Sequence, residues 1–486
     1  MYIGKQIHHH ALALPDKIAV IYNKKQIPYC MLQEKVEQYR GHLYREAQKD
    51  QRKDPFTVAI DVMQQDEQLY WFLAVTSLGW NGVLCHPNWS ECDVIKMAKK
   101  ATADVILSNR FQTAEADIPI WRMSSFATSN EKQAIPYAKG TEPFYTGFTS
   151  GSTGEPKAFV RNHLSWSGSF VNVQQVFALS QSDRVCIPGL LFHSLFLFAT
   201  IHTLHMGATV CLEQEFQVKQ TKNTIEAYKV NVIYGVPTML YALSLEGIDA
   251  QLVEKVIVSG AEWHETNRAQ VKAIFNQATL YEFYGASELS FVSYLNHSNG
   301  KQLNSAVGEL FPSVEVEVKR DGQLVVRSPY LFTGYVGQAP IGESFSVGDI
   351  GYFDEHHILH VKGRIGNMLT IGGHNVYPEE TERVVKALPF VEEAVAVGTY
   401  HRYWGNQMVL FVQTAQAQEF ALVQIKARLK ECLPTLKRPR RIYVVEALPL
   451  LANGKVDRQA LEVKRDECSL CGESKTNGYW QKRGHS

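Results

Sequence analysis

The sequence carries no excess of either charge. Its 49 basic and 49 acidic side chains leave a formal net charge of zero over 486 residues. That removes the electrostatic case for nucleic acid or an anionic membrane as the main partner. There is no internal repeat, so a solenoid is not expected, and no low-complexity tract exceeds a few residues. The eight cysteines are mostly far apart, and Met1-Tyr-Ile-Gly-Lys5 runs into polar chain without a secretory core. A reducing, cytoplasmic setting is the expectation. Long apolar runs are also scarce. Only 189–212 raises the membrane question, and it holds His193, His202 and His205, with Gly207-Ala-Thr breaking it near the end. Histidines are costly in a bilayer. A buried helix followed by a core strand is expected there, and no integral membrane segment. The G-x-x-x-x-G-K-[ST] spacing of a Walker loop is absent too.

What is present is ordinary for a soluble enzyme: 45% hydrophobic and 20% charged residues. The length implies two to four lobes. Short apolar runs such as Thr57–Asp61, Val83–Cys85, Val105–Leu107, Ala208–Leu212, Val232–Tyr234 and Lys255–Val258 alternate with helical segments. This pattern predicts parallel sheets covered on both faces. Val314–Lys319 alternates with period two and is followed by Asp321-Gly322 and Gln323–Arg327, an antiparallel hairpin pattern. After Gly363-Arg364 the pattern changes again. Pro378-Glu379-Glu380 suits a helix start, with Pro in the first turn and carboxylates at the positive end of the dipole. Strands at 394–397, 408–413 and 442–445 and a helix at 422–432 complete a small α+β unit.

The segment Tyr145–Lys157 concentrates hydroxyls (Thr149, Ser150, Ser152, Thr153), glycines (Gly147, Gly151, Gly154) and Lys157. Glycines let backbone N–H groups approach an anion closely, hydroxyls add donors, and the lysine adds charge. These are the components of a polyphosphate-holding loop. A flexible Ser/Thr/Gly linker has the same composition. The run Thr149-Ser-Gly-Ser-Thr-Gly-Glu-Pro-Lys157 resembles the phosphate-loop signature of the adenylate-forming, or AMP-binding, enzyme superfamily, with Ala158 where the family usually has Gly. In style the chain is closest to AMP-forming acyl-CoA synthetases. The resemblance extends from about residue 5 to 465, through further motifs in the family's order.

Tyr284-Gly285-Ala286-Ser287-Glu288 resembles the family's Tyr-Gly-x-Thr-Glu. An aromatic beside Gly can offer adenine a flat face. The resemblance places Ser287 on the α-phosphate and Glu288 on Mg²⁺, a hard cation that prefers oxygen ligands. Ser259-Gly260-Ala261-Glu262 ends a strand before a helix. In relatives this turn lies between adenine and the acyl chain, and a plain strand-to-helix turn reads equally well. Asp349, between Gly348 and Gly351, resembles the ribose ligand, since a carboxylate can accept from both hydroxyls. A loop aspartate between glycines is the alternative. Gly363-Arg364 matches a Gly-Arg pair, with Arg364 on ribose or phosphate. Gly373, Asn375 and Pro378 fall in Gly372–Glu382, which resembles the segment that lines the pantetheine tunnel. Trp404-Gly405 resembles the Trp-Gly of CoA ligases, although an isolated Trp is more often a packed aromatic. Asn453-Gly454-Lys455-Val-Asp-Arg458 resembles Gly-Lys-x-x-Arg, whose lysine, here Lys455, bridges carboxylate and α-phosphate.

His193, after Phe192, corresponds to the family's aromatic-His segment near the carboxylate; a satisfied core histidine is the other reading. Peptide-synthetase adenylation domains carry Asp there, to hold an α-amino group. His193 therefore favours a simple carboxylic acid over an amino acid. Gly366 stands where relatives usually carry a hinge Asp or Lys. The resemblance implies a large α/β N-terminal domain of parallel-rich sheets with a small antiparallel barrel-like part (1–363). A mobile α+β C-terminal cap (364–465) and a tail (466–486) follow. It implies ATP, Mg²⁺ and coenzyme A as cofactors and a carboxylic acid, a fatty acid first, as substrate. An acyl carrier protein is the alternative acceptor, and a noncatalytic nucleotide- or acyl-binding protein the alternative class. Cys468, Cys471 and His485 in the tail are short of a four-ligand zinc site.

Overall fold

A computed structural model describes residues 2–49, 55–111, 117–123, 135–149, 156–261, 263, 265–299, 305–371, 374–401, 405–450, 456–458 and 460–461. These form two compact units. The first draws on Met1–Glu262, Gln270–Glu317 and Val325–Val347. The second draws on Trp263–Ala269, Val318–Leu324 and the described residues from Gly348 onward.

The first unit is built on two mixed sheets. In one, the strands run in the order Lys25–Pro28, Ile18–Tyr22, Thr209–Leu212, Arg184–Ile187, Val232–Gly235, Lys255–Val258, Thr279–Ala286, Ser290–Asn296, Ala306–Leu310. The strands from Ile18–Tyr22 to Thr279–Ala286 pair in parallel. In the other sheet the order is Gly334–Tyr335, Lys157–Asn162, Pro143–Thr149, Asn81–Leu84, Thr57–Asp61, Val105–Ser108, Ile120–Trp121. The apolar runs of the sequence are these parallel strands, buried on both faces as Val/Ile runs require. The 189–212 stretch is the helix Ser194–His205, buried along most of its length, followed by the core strand Thr209–Leu212. Among the described residues no helix is long and apolar enough to cross a membrane. The hairpin expected near 314–327 is present as Glu315–Val318 and Leu324–Arg327, with Gly322 at φ +85° in its turn.

The second unit contains the antiparallel pair Asp349–Phe353 and Leu359–Arg364 and the long strands Glu393–His401 and Gly405–Gln413. Ala394, Ala396, Leu410 and Val412 pack against Val385 of the helix Pro378–Lys386 and Ile425 and Leu429 of the helix Gln418–Cys432. Val395, Val397, Val409 and Phe411 face the other way, onto Leu448 and Leu461. Both faces of this sheet are covered, so its strands read as continuous apolar runs rather than as alternation.

Histidine burial makes the first unit acid-sensitive. His163 accepts a hydrogen bond from the Ile3 amide at Nδ1, and His202 meets the Phe170 carbonyl through Nε2. Burial lowers His163 and His202 to about 3 and His205 to about 4. These rings are neutral when folded and take up protons on unfolding below the ordinary value of 6.5. Their stabilisation is full above that value and is lost as pH falls towards the folded pKa. The cost is about 2 kcal/mol each at pH 5. Buried Glu213, raised to about 7, acts in the opposite sense and returns about 2 kcal/mol. We expect a net loss of about 3–4 kcal/mol between pH 7.5 and 5, read as a lower denaturant midpoint. An equal or higher midpoint at pH 5 contradicts these assignments.

Candidate active site

The ends of the phosphate-loop candidate are fixed by sheet pairing. Pro143–Thr149 and Lys157–Asn162 are antiparallel neighbours, and Thr149 lies directly opposite Lys157. Ser150, Gly151, Ser152, Thr153 and Gly154 lie outside the described residues. Close packing fixes the approach strand: a Cβ on Gly147 would fall within 3 Å of the Tyr145 hydroxyl and the Phe159 ring. The Tyr145 hydroxyl is 3.2 Å from Ser194 Oγ, so this strand touches the first residue of the helix that follows His193.

His193 precedes that helix and is partly exposed. The Leu191 amide, two residues earlier, donates to the buried Gln65 Oε1 at 2.8 Å. Phe192 lies edge-on to Trp89 and His86, with centroids at 5.1 and 5.3 Å, and Trp89 also meets Phe148 at 5.9 Å. The aromatic-His segment and the strand leading to Thr149 thus share one aromatic cluster.

Tyr284, Gly285 and Ala286 end the strand Thr279–Ala286, and the chain returns as Ser290–Asn296. The ladder shifts register between Tyr284 and Gly285. A Cβ on Gly285 would run into the Ser290 carbonyl. Ser287 and Glu288 occupy the turn. Glu288 is 7% exposed, and its Oε1 accepts the Tyr335 hydroxyl at 2.9 Å. The Lys157 ammonium lies 5.4 Å from the centroid of the same Tyr335 ring. The Ser287 carbonyl accepts from Arg161 Nε and Nη2 at 3.1 and 2.6 Å. Burial holds the Arg161 guanidinium well below its ordinary range, at about 9, against the favourable charge of Glu288. Ser259 Oγ donates to the Phe283 carbonyl at 2.8 Å, which ties the Ser259-Gly260-Ala261 turn to the residue before Tyr284. Gly260 has φ +94°, and Glu262 lies outside the described residues.

In the second unit Asp349 and Arg364 are direct cross-strand partners. Arg364 Nε donates to Asp349 Oδ1 at 2.7 Å. Asp349 is 5% exposed, whereas Arg364 is exposed. Gly366 is exposed within the short 3₁₀ turn Ile365–Asn367. Asn375 is exposed on the strand His374–Val376, opposite Thr370. Gly373, Trp404 and Lys455 lie outside the described residues, as do Cys468, Cys471 and His485. The flanks of Lys455 are held: Leu450 bridges Val456, and the Asp457 amide donates to the Pro449 carbonyl at 2.8 Å. Arg458 Nη1 donates to the Ala396 carbonyl at 2.8 Å, and its Nη2 donates to Glu382 at 2.9 Å.

The sequence reading did not single out Arg161, Tyr335, Gln65 or Trp89. One signal was available: period two puts Arg161 on the same face as Lys157 and Phe159, and Phe159 is an inward residue type.

A model of the AMP-binding enzyme family matches residues 7–336, and one of its C-terminal domain matches 380–455. The uncharacterized acyl-CoA ligase YhfT of Bacillus subtilis strain 168 is 33% identical over 466 residues, 92% of this chain and 95% of that protein. The provisionally named long chain fatty acid-CoA ligase VraA of Staphylococcus haemolyticus strain JCSC1435 is 32% identical, over 70% of this chain and 74% of its own. The fold matches o-succinylbenzoate CoA synthetase (MenE) from Bacillus subtilis, solved with the acyl-adenylate intermediate OSB-AMP. The TM-score is 0.84, with 22% identity over 94% of this chain and 97% of that one. The chain belongs to the AMP-binding enzyme family, and its full-length relative YhfT is named as an acyl-CoA ligase.

Proposed function

We propose that the protein is an AMP-forming acyl-CoA ligase. It joins a carboxylic acid to ATP as an acyl-adenylate, releasing pyrophosphate, and then passes the acyl group to coenzyme A with loss of AMP. The observation that carries this reading is the convergence of Lys157 and Glu288 on Tyr335. A cation at the end of the phosphate-loop candidate and a carboxylate suited to a hard metal ion are held by one side chain. In this reading Thr149, Lys157 and the loop between them hold the polyphosphate, Tyr284 faces adenine, and Ser287 donates to the α-phosphate. Asp349 accepts from the ribose, and Arg364 donates to ribose or phosphate. The residues suit the group: a Cβ would block the backbone at Gly285, and Gly260 takes a left-handed conformation. Mg²⁺ bound at Glu288 would offset phosphate charge. The carboxylate itself attacks phosphorus, so the protein supplies position and electrostatics rather than a nucleophile. Gly366 is the proposed hinge for the step between half-reactions.

The proposed acid is a fatty or other simple carboxylic acid, and the proposed setting is the cytoplasm. His193 in place of an ammonium-binding Asp and the name of the VraA relative support the substrate reading. The test is a panel of fatty, aryl and amino acids, scored by pyrophosphate release with and without CoA. Unsubstituted acids should turn over, with AMP accumulating once CoA is added. Faster exchange with an amino acid than with any unsubstituted acid overturns the substrate reading. No exchange with any acid overturns the ligase reading.

A further inference from the structure

Arg161 is 1% exposed. A buried guanidinium persists only where its donors and charge are both met. Nε and Nη2 both bond the Ser287 carbonyl, at 3.1 and 2.6 Å. Nη1 bonds the Tyr330 carbonyl at 2.8 Å and Ser165 Oγ at 3.2 Å. The acceptors are all neutral; its favourable charge comes from Glu288.

Two donors on one carbonyl set the plane of the peptide joining Ser287 to Glu288, and so the direction in which both side chains leave the chain. A lysine, with a single ammonium on a flexible stem, cannot reproduce that fork. Glu288 is then held a second time, at its carboxylate, by the Tyr335 hydroxyl at 2.9 Å. Tyr335 and Arg161 come from paired strands, with Tyr335 opposite Phe159. The same two strands therefore grip the turn at its backbone and at its side chain.

We propose that Arg161 and Tyr335 are positioning residues that hold Glu288 in the pose that receives a metal-nucleotide complex. Arg161 acts through the backbone and its charge, Tyr335 through a direct hydrogen bond. The proposal rests on the reading of Glu288 as the metal carboxylate. Glu288 keeps a buried positive partner when no metal is bound, and Tyr335 donates to its carboxylate directly.

The variants are Tyr335→Phe, Arg161→Lys, Arg161→Met and, as a control on the underlying reading, Glu288→Gln. Each full-length protein is melted, then titrated with ATP plus Mg²⁺ and separately with AMP in EDTA, and its pyrophosphate exchange is followed against Mg²⁺ concentration. For Tyr335→Phe and any folded Arg161 variant, the Mg²⁺ needed for half-maximal exchange should rise by about tenfold or more. That is the size expected for losing a hydrogen bond to a charged group. MgATP affinity should fall in step. AMP affinity of Tyr335→Phe should change less than about threefold, because AMP in EDTA does not use the metal carboxylate; Arg161 variants also release Ser287, so their AMP affinity should fall too, but by less than their MgATP affinity. A general loosening of the fold would weaken both ligands alike, and that outcome overturns the proposal. If Arg161 variants do not fold, Tyr335→Phe decides, since it removes one oxygen and keeps the ring. An unchanged Mg²⁺ requirement in folded Tyr335→Phe overturns the proposal when Glu288→Gln does raise it. An unchanged requirement in Glu288→Gln overturns the reading of Glu288 itself, and the proposal with it.

Discussion

Lys455→Ala should lower adenylate formation by about 10²–10³-fold, the usual cost of removing one preplaced donor from developing oxyanion charge. It should leave thioester formation from supplied acyl-adenylate close to the starting rate. Attack of a carboxylate on phosphorus builds negative charge on equatorial oxygens, and the adenylate once made no longer needs that cation. The described residues on either side of Lys455 are anchored. The Leu450–Val456 bridge and the Asp457-to-Pro449 hydrogen bond close the segment on both sides. Arg458 then fastens it to Glu382 and to the Ala396 carbonyl. Because those anchors are made by other residues, the alanine variant should melt within about 2 °C of the parent. The measurement is each half-reaction alone, pyrophosphate exchange for the first and CoA-dependent AMP release from acyl-adenylate for the second. Equal loss of both would sink the assignment.

Gly285→Ala should abolish nucleotide-dependent activity through geometry rather than charge. The added methyl would meet the Ser290 carbonyl oxygen of the neighbouring strand well inside contact distance, with the Ser290 carbonyl carbon at 3.0 Å. Neither atom can yield without breaking the ladder, and the register shift already used at Tyr284/Gly285 leaves no second place to absorb the strain. Relief requires moving the turn that carries Ser287 and Glu288. We expect a loss of about 2 kcal/mol or more of stability, within the range for overpacking a fitted interior. MgATP binding should fall below detection in whatever fraction remains folded. A variant that melts and binds as the parent does would show that the turn can relocate freely.

Much of this arrangement was legible in the sequence because it rests on local rules. Short Val/Ile runs such as Lys255–Val258 and Val232–Tyr234 suit buried strands, and both are strands. The Asp321-Gly322 hairpin and the Pro378 helix start follow from turn chemistry and from the dipole. Asp349 was harder to read. Two flanking glycines suggest a loop, yet it opens a strand and faces Arg364 across the ladder. The glycine spacing instead serves a bulge at Ile350/Gly351, where a Cβ on Gly351 would strike the His360 carbonyl. Period two marks the inward face of Arg161, but its partners and those of Tyr335 are distant in the chain and were not legible. A guanidinium meeting the carbonyls of residues 287 and 330 leaves no periodic trace. The antiparallel pair flanking the phosphate loop was missed for a related reason: Tyr145-Thr-Gly-Phe-Thr149 reads as loop by composition, and only pairing with Lys157–Asn162 makes it a strand.

The pairing of Ile18–Tyr22 with Thr209–Leu212 has a consequence for synthesis on the ribosome. Thr209 Oγ1 closes on the Ile18 carbonyl from 191 residues later in the chain, and the Ile3 amide waits for His163, 160 residues on. At roughly 5–20 residues per second, the amino-terminal strand is made about 10–40 s before its parallel neighbour leaves the ribosome. During that interval its one available partner is the antiparallel Lys25–Pro28, and a lone two-stranded ribbon is marginal in water. The nascent chain therefore carries an unpaired, apolar Ile18-Ala-Val-Ile-Tyr22 edge through about two-fifths of translation, a natural point of engagement for a ribosome-associated chaperone.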